Sequence, residues 1–385
     1  MRNRIVWALA VLTLSASAAW AADNPPAPAK PGSNAAQFRD LHGQMKDILA
    51  KLAALQIEYR TANEDKRAAI QQKYKDIVAD GIKIESKLID AAEKAYQEAP
   101  NTDKEIVEFL AQVLREKVEL DDYEPAAKIG KLLVDNKCNV KGIANLAGIA
   151  AFATSDFAPA EKYLTLAETQ GAFKSPAKDD DTAKIGEFYL KALPYYKKAW
   201  AREKLFRERE AKANDLPRVL LKTSKGDIEL ELFEDQAPNT VANFISLVRS
   251  GFYKNVAFHR VLKGFMAQGG DPKGDGTSGP GYTIPDECQR PDHREHFRGT
   301  LSMAKTQLPD SGGSQFFLCF VPTPQLDGKH TVFGRVVSGL DVLAKIQRRD
   351  PQDPEAPRPD KILDAKVIKS VRKPAGDYKP QKMPE

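Results

Sequence analysis

The chain has 385 residues, 42% hydrophobic and 29% charged, ordinary for a soluble globular protein and long enough for two separate cores. Its 58 basic and 53 acidic residues leave a net charge of +5 and are mixed along the chain, which excludes the one-sided basic stripe of a nucleic-acid-binding surface. At the N-terminus Arg2 and Arg4 precede an apolar run over residues 5–14, and small residues follow up to Ala19-Trp20-Ala21. This order predicts a secretory signal over residues 1–21, removed on export. The apolar run is shorter than the about 20 residues a spanning helix needs, and no later segment is apolar enough to cross a bilayer. The expected mature chain is therefore an exported protein of the periplasm or cell envelope, or a secreted one, without stable membrane insertion. Residues 22–36, rich in Pro and Ala, read as a flexible linker.

From residue 37 to 213 the grammar is helical. Leu41, Met45, Ile48, Leu52 and Leu55 recur at helical spacing, and Ile70, Tyr74, Ile77, Ile84, Leu88 and Ala91 form a second series. A break at Thr61-Ala62-Asn63 predicts two long helices folded back on each other, and Pro100-Asn101-Thr102 stops one helix and caps the next. Asp122-Tyr123-Glu124-Pro125-Ala126 is then matched by Asp156-Phe157-Ala158-Pro159-Ala160, a period of about 34 residues. With small residues at Gly148 and Ala167, residues 102–170 resemble a degenerate pair of tetratricopeptide repeats, although a generic array of helical hairpins gives the same pattern. Residues 173–182, with Ser-Pro and three consecutive aspartates, read as a loop, and residues 185–212 as a long helix. The basic residues of 202–209 read as a solvated helix face. Cys138, Cys288 and Cys319 lack any C-x-x-C spacing, and no disulfide is expected; Cys319, inside an apolar run, reads as a small buried hydrophobe.

At Asn214-Asp215-Leu216-Pro217 the helical period ends. Residues 219–223 and 228–233 alternate as paired strands around the turn Ser224-Lys225-Gly226-Asp227, and Pro238 opens a helix through Ser250. Short strands between Gly and Pro loops continue to about residue 371, with a second helix at 341–347. Many short strands and two helices predict a β-barrel over residues 216–373 rather than a βαβ sheet, and residues 374–385 read as a disordered tail.

Chemistry concentrates in this second half. Phe258-His259-Arg260-Val261 leads into Gly264-Phe265-Met266-Ala267-Gln268-Gly269-Gly270-Asp271, then Gly299-Thr300-Leu301-Ser302-Met303-Ala304. Gly313-Ser314-Gln315-Phe316-Phe317-Leu318 and Leu326-Asp327-Gly328-Lys329-His330-Thr331-Val332-Phe333-Gly334 follow. Ser314 lies in no nucleophile elbow, and no carboxylate pair or metal-ligand spacing stands out. Arg260 lies among apolar residues at strand spacing, so its charge alone does not make it a solvated side chain.

In this order the segments resemble the cyclophilin family, over residues 219–371. The resemblance implies a closed eight-stranded barrel with two helices and peptidyl-prolyl cis/trans isomerase activity without cofactor or metal. Position by position, the family's catalytic arginine falls on Arg260, with Gln268 and His330 completing the catalytic set. Its substrate-binding residues fall on Phe265, Met266, Gln315, Phe317 and Leu326, on the backbone of Ala304 and Lys305, and on Gly276 in a loop beside the groove. Phe244, Phe258, Phe316 and Phe333 read as core. Two positions depart: Gln325 stands where the family often has Trp, which puts cyclosporin binding in doubt, and Lys305 where many relatives have Asn.

The chemistry implied is simple. Amide resonance sets a barrier of about 18–20 kcal/mol to X–Pro rotation. Rotation breaks that resonance and leaves a lone pair on the prolyl nitrogen, which a guanidinium in an apolar pocket bonds only in the twisted state. His330 then reads as pocket wall and hydrogen-bond donor, because no proton moves. The expected partners are proline-containing unfolded or extended polypeptides, with the helical half adding client binding, targeting or oligomerisation. A cyclophilin-like module that binds prolyl peptides without turnover, and a helical scaffold with the barrel as accessory, are the alternatives.

Overall fold

A computed structural model describes residues 30, 32–174 and 181–384. The signal expected over 1–21, residues 22–29 and 31 of the expected linker, and residues 175–180 of the expected loop lie outside the described residues. The chain forms two compact units, Met1–Glu116 with Lys128–Ala147, and Lys117–Ala127 with Gly148–Glu385. This division differs from the boundary expected at residues 213–216.

In the first unit α1 (Asn34–Thr61) and α2 (Glu64–Glu98) pack on each other. Ser33 caps α1 by accepting from Ala36 N–H, and Asn63 caps α2 by accepting from Lys66 N–H. The helix therefore begins inside the segment expected to be linker. Phe38, Leu41, Met45, Ile48 and Leu52 line the buried stripe of α1. The helices α3 (Lys104–Glu119), α4 (Tyr123–Asp135) and α5 (Ile143–Ala153) each run across the division between the units, and α6 (Phe157–Thr169) belongs to the second. Ala126 and Ala160 are both fully buried. A Cβ on Gly148 would lie 2.5 Å from Leu164, so α5 and α6 approach through a position that excludes a side chain.

The second unit contains α7 (Asp181–Ala213) and the whole strand-rich part. Trp200 meets Phe297 edge-on at 4.9 Å, and Tyr196 meets it at 5.6 Å. Arg294 has no exposed side-chain surface and bonds both Glu203 oxygens at 2.7 and 2.8 Å. Arg202 pairs with Glu295, and Arg207 with Glu203 while lying over Trp200. The basic stretch 202–209, expected to be only solvated, thus supplies part of the docking face; charge content alone does not show which helical face meets a partner.

Nine strands form one curled sheet: β1 (Arg218–Thr223), β2 (Gly226–Leu232), β3 (Val256–Ala257), β4 (Arg260–Leu262), β5 (Met266–Gly269), β6 (Thr300–Met303), β7 (Phe316–Cys319), β8 (Val332–Ser338) and β9 (Lys361–Lys369). Their order is β3-β9-β1-β2-β8-β6-β7-β5-β4. The expected closed eight-stranded barrel is therefore corrected to an open nine-stranded sheet. Strand pairing changes partner at Phe258-His259: β3 pairs with β9 and β4 with β5, so the sheet's two ends are joined by the chain and by one isolated bridge, Ala257 with Asp271, and not by a ladder. Helix α8 (Pro238–Arg249) turns Phe244 inward, edge-on to Phe316 at 5.5 Å and against Phe333 at 5.3 Å. Helix α9 (Leu340–Lys345) packs on β2.

Residues 374–384, expected to be disordered, are ordered. Tyr378 is buried and donates to Glu234 at 3.0 Å, Gln381 N–H donates to Asn239, and Met383 exchanges both backbone bonds with Thr283. The polar composition of this segment hid three specific anchors. The three cysteines are free thiols, and Cys319 is fully buried.

Candidate active site

Register places the site. Arg260 pairs with Gln268, Gln268 with Phe317, and Phe317 with Ser302, making one cross-strand row. Two residues along, Leu262 pairs with Met266 and Met266 with Cys319. Alternate residues share a face, so both rows lie on one side of the sheet. The row between them, Val261, Ala267, Leu318 and Leu301, is buried on the opposite side. One face of these short strands builds core and the other is left for a site.

On the site face Met266, Phe317 and Cys319 form an apolar cluster, with Leu262, Phe265, Ala304 and Leu326 packed against it. His330 meets Phe317 edge-on at 5.6 Å, and His296 stacks parallel to it at 5.8 Å. Six of the residues singled out in the sequence, Phe265, Met266, Ala304, Phe317, Leu326 and His330, thus share one apolar notch.

Arg260 stands at the end of this row, half-buried, its guanidinium carbon 5.9 Å from the centre of the Phe265 ring. Its guanidinium makes no ion pair or hydrogen bond to any described residue. In contrast Arg294, Arg298, Arg335 and Arg348 are each held by a carboxylate. Half-buried and without a carboxylate partner, this guanidinium keeps its donors available to the acceptor of a ligand.

The polar side of the notch is a chain of bonds. Gln268 Nε2 donates to Gln315 Oε1 at 3.0 Å, and Gln315 Nε2 donates to the carbonyls of Gly276 and Ser278, each at 3.0 Å. The loop bearing Gly276 is held from behind by Asp271, which accepts from the N–H groups of Lys273, Asp275 and Gly276 and from Ser278 Oγ. Gly270 has φ of 90°, and a Cβ there would come within 2.3 Å of Ser314 O; only glycine lets this backbone pass.

At the two positions expected to contact substrate through their backbone, Ala304 N–H donates to Gln315 O at 2.9 Å, and the Lys305 side chain is held in an ion pair with Asp286 at 2.9 Å. One expectation needs correction, the donor role of His330. His330 Nδ1 lies 3.0 Å from Met303 O, and a carbonyl only accepts, so Nδ1 carries the proton and the ring's donor is used there. Burial pushes the His330 pKa below its usual value, against the opposing pull of the Met303 carbonyl. The neutral ring presents Nε2 as an acceptor rather than the donor expected.

Sequence reasoning missed the support behind Phe317. His296 has no exposed side-chain surface; its Nδ1 and backbone N–H both bond Asp327 Oδ1 at 2.7 Å, and its Nε2 meets Ser302 Oγ at 2.9 Å. Ser302 is itself fully buried, so this Asp–His–Ser arrangement is a strut and not a nucleophile. Asp327, set inside the motif that supplies Leu326 and His330, was the available signal.

Curled sheet, apolar notch and unpaired guanidinium together define an enzyme of the prolyl-isomerase class. The cyclophilin type peptidyl-prolyl cis-trans isomerase/CLD family matches residues 218–367. A peptidyl-prolyl cis-trans isomerase of Helicobacter pylori is 54% identical over 132 residues, 34% of this chain and 80% of that one. One of Synechococcus elongatus is 46% identical over 155 residues, 40% of this chain and 97% of its own length. A cyclophilin type peptidyl-prolyl cis-trans isomerase of Cryptosporidium parvum, solved in the presence of the dipeptide Ala-Pro, is 36% identical, covering 40% of this chain and 99% of that one at a TM-score of 0.37. The chain belongs to the cyclophilin family, and its C-terminal part is a cyclophilin-type peptidyl-prolyl cis-trans isomerase.

Proposed function

We propose that this isomerase acts on X–Pro bonds of exported polypeptides as they fold, and that Arg260 drives the reaction by stabilising the twisted imide. The unpaired, half-buried guanidinium over Phe265 carries this reading. The prolyl ring occupies the notch between Met266, Phe317 and Leu326, and Gln268 and Gln315 hold the preceding residues. Planar amide nitrogen offers the guanidinium no lone pair. The pyramidal nitrogen of the twisted state does, so the hydrogen bond forms only at the top of the barrier. His330 is a wall of the notch and moves no proton. Export rests on the basic, apolar and small-residue order of residues 1–21. The helical region, with its tetratricopeptide-like repeat, adds a surface for client polypeptides or a protein partner.

The test compares the full chain with Arg260→Ala by exchange spectroscopy on a short X–Pro peptide. Loss of one charge-assisted donor to the transition state predicts a fall in kcat of about 100-fold with unchanged thermal stability. Equal rates would refute the mechanism, and peptide binding without any acceleration by the wild-type chain would support a binding module instead. Export is checked separately by following the full-length precursor in cell fractions; retention of unprocessed chain in the cytoplasm removes that part of the proposal.

A further inference from the structure

Two side chains from the helical segments of the second unit end on the loops that carry the notch walls. Asp121, in the turn between α3 and α4, is fully buried with φ of 59°. Its Oδ1 accepts from Gly264 N–H at 2.9 Å and from Tyr123 Oη at 3.0 Å, and its Oδ2 accepts from Arg348 Nη2 at 2.6 Å. Gly264 immediately precedes Phe265, whose carbonyl accepts from Phe320 N–H at 2.9 Å; Arg348 lies over the Phe320 ring at 4.4 Å. The carboxylate therefore braces the turn that presents the Phe265 ring to Arg260. On the other wall Tyr195 of α7 donates its hydroxyl to Asp327 Oδ2 at 3.0 Å. Asp327 lies between Leu326 and His330 and holds His296 behind Phe317. The next residue, Tyr196, donates to the His296 carbonyl at 3.3 Å.

We propose that Asp121 and Tyr195 are positioning residues for prolyl isomerisation, each bracing one wall of the notch, so that substrate affinity depends on the docked helices. The inference rests on the reading of the notch as the prolyl site. Adhesion between α7 and the sheet is supplied elsewhere, by Arg294 with Glu203 and by Trp200 on Phe297. Tyr195 remains 46% exposed, so its hydroxyl contributes to the loop it touches far more than to buried area.

The experiment measures kcat and KM separately, with the full chain and a short X–Pro peptide. One lost bracing bond, at about 0.5–1.5 kcal/mol, predicts a rise in KM of about 2–10-fold for Tyr195→Phe, with kcat unchanged and no shift in melting temperature. Asp121→Ala, which removes both the Gly264 and the Arg348 contact, raises KM more than Asp121→Asn, which keeps a neutral acceptor. Arg260→Ala, measured alongside, lowers kcat; if it does not, the Arg260 mechanism fails while the KM readings still judge the bracing. Unchanged KM in Tyr195→Phe and in Asp121→Ala overturns the proposal, as do losses confined to kcat in proportion to unfolded protein. Should Asp121→Ala fail to fold, the solvent-facing Tyr195→Phe decides alone.

Discussion

Asp271 has no exposed surface and four donors converging on it: the N–H groups of Lys273, Asp275 and Gly276 and the Ser278 hydroxyl. Burial by itself raises the pKa of such a carboxyl, yet the hydrogen bonds outweigh it and bring it from 3.8 to about 2. A folded pKa below the unfolded one stabilises the charged native form, fully above about pH 4, and that contribution disappears as pH falls toward 2. The shift is worth about 2 kcal/mol. Asp271→Asn is therefore expected to melt lower than the wild type at pH 7, and the gap is expected to narrow below pH 4 and close near pH 2. A gap independent of pH in thermal unfolding would show that the carboxylate charge is not what holds the loop. His330 makes the complementary case. Its lowered pKa and its Nδ1–H on Met303 keep it neutral at pH 7. With no proton transferred in the proposed mechanism, kcat/KM is expected to stay level from about pH 7 to 9 and to decline only on acidification, as the imidazole charges. A bell-shaped profile centred near neutrality would instead mark His330 as an acid or base.

At the scale of elements, what was legible followed from local rules. The break at 61–63 became the Asn63 cap of α2, and the Pro238 start and the Ser224–Asp227 turn fall where Pro and Gly dictate. The site's apolar half was legible because alternation along β5 and β7 sorts Met266 and Phe317 from Ala267 and Leu318. Arg260 stood out for a related reason: its strand neighbours left no obvious counter-charge, and none is present among the described residues. What stayed hidden depends on long-range pairing. Which partner the chain takes on either side of Phe258-His259, β9 before it and β5 after it, is set by pairing that propensity cannot foretell. The Ala304 N–H and the His330 ring are engaged by Gln315 and Met303, contacts that no spacing rule foretells. Residues 374–384 carry a disordered composition but fold through single anchors such as Tyr378.

Over the whole molecule the change of grammar at residues 214–217 is a boundary of secondary structure and not of packing, since α7 and the sheet belong to one compact unit. Arg294 shows why. Its guanidinium is flanked by the rings of Phe233 at 3.8 Å and Phe206 at 4.6 Å, and its acidic partners Glu203 and Glu210 both come from α7. In the full chain, Arg294→Ala takes from Glu203 and Glu210 the buried cation they share and leaves Arg207 on the one and Arg335 on the other, so the expected cost lies at or below the about 3–5 kcal/mol of a buried pair broken from one side. In a fragment of residues 215–384 those carboxylates are gone and Arg294 meets water, so the same substitution is expected to cost well under half as much. The fragment itself is expected to melt below the full chain, because Phe297 loses Tyr196 and Trp200. Thermal unfolding of the four proteins, full chain and fragment with and without Arg294→Ala, measures the coupling directly. Equal costs in both contexts would mean that α7 is tethered to the isomerase without being part of its fold, and the bracing of the notch by Tyr195 would lose its structural basis.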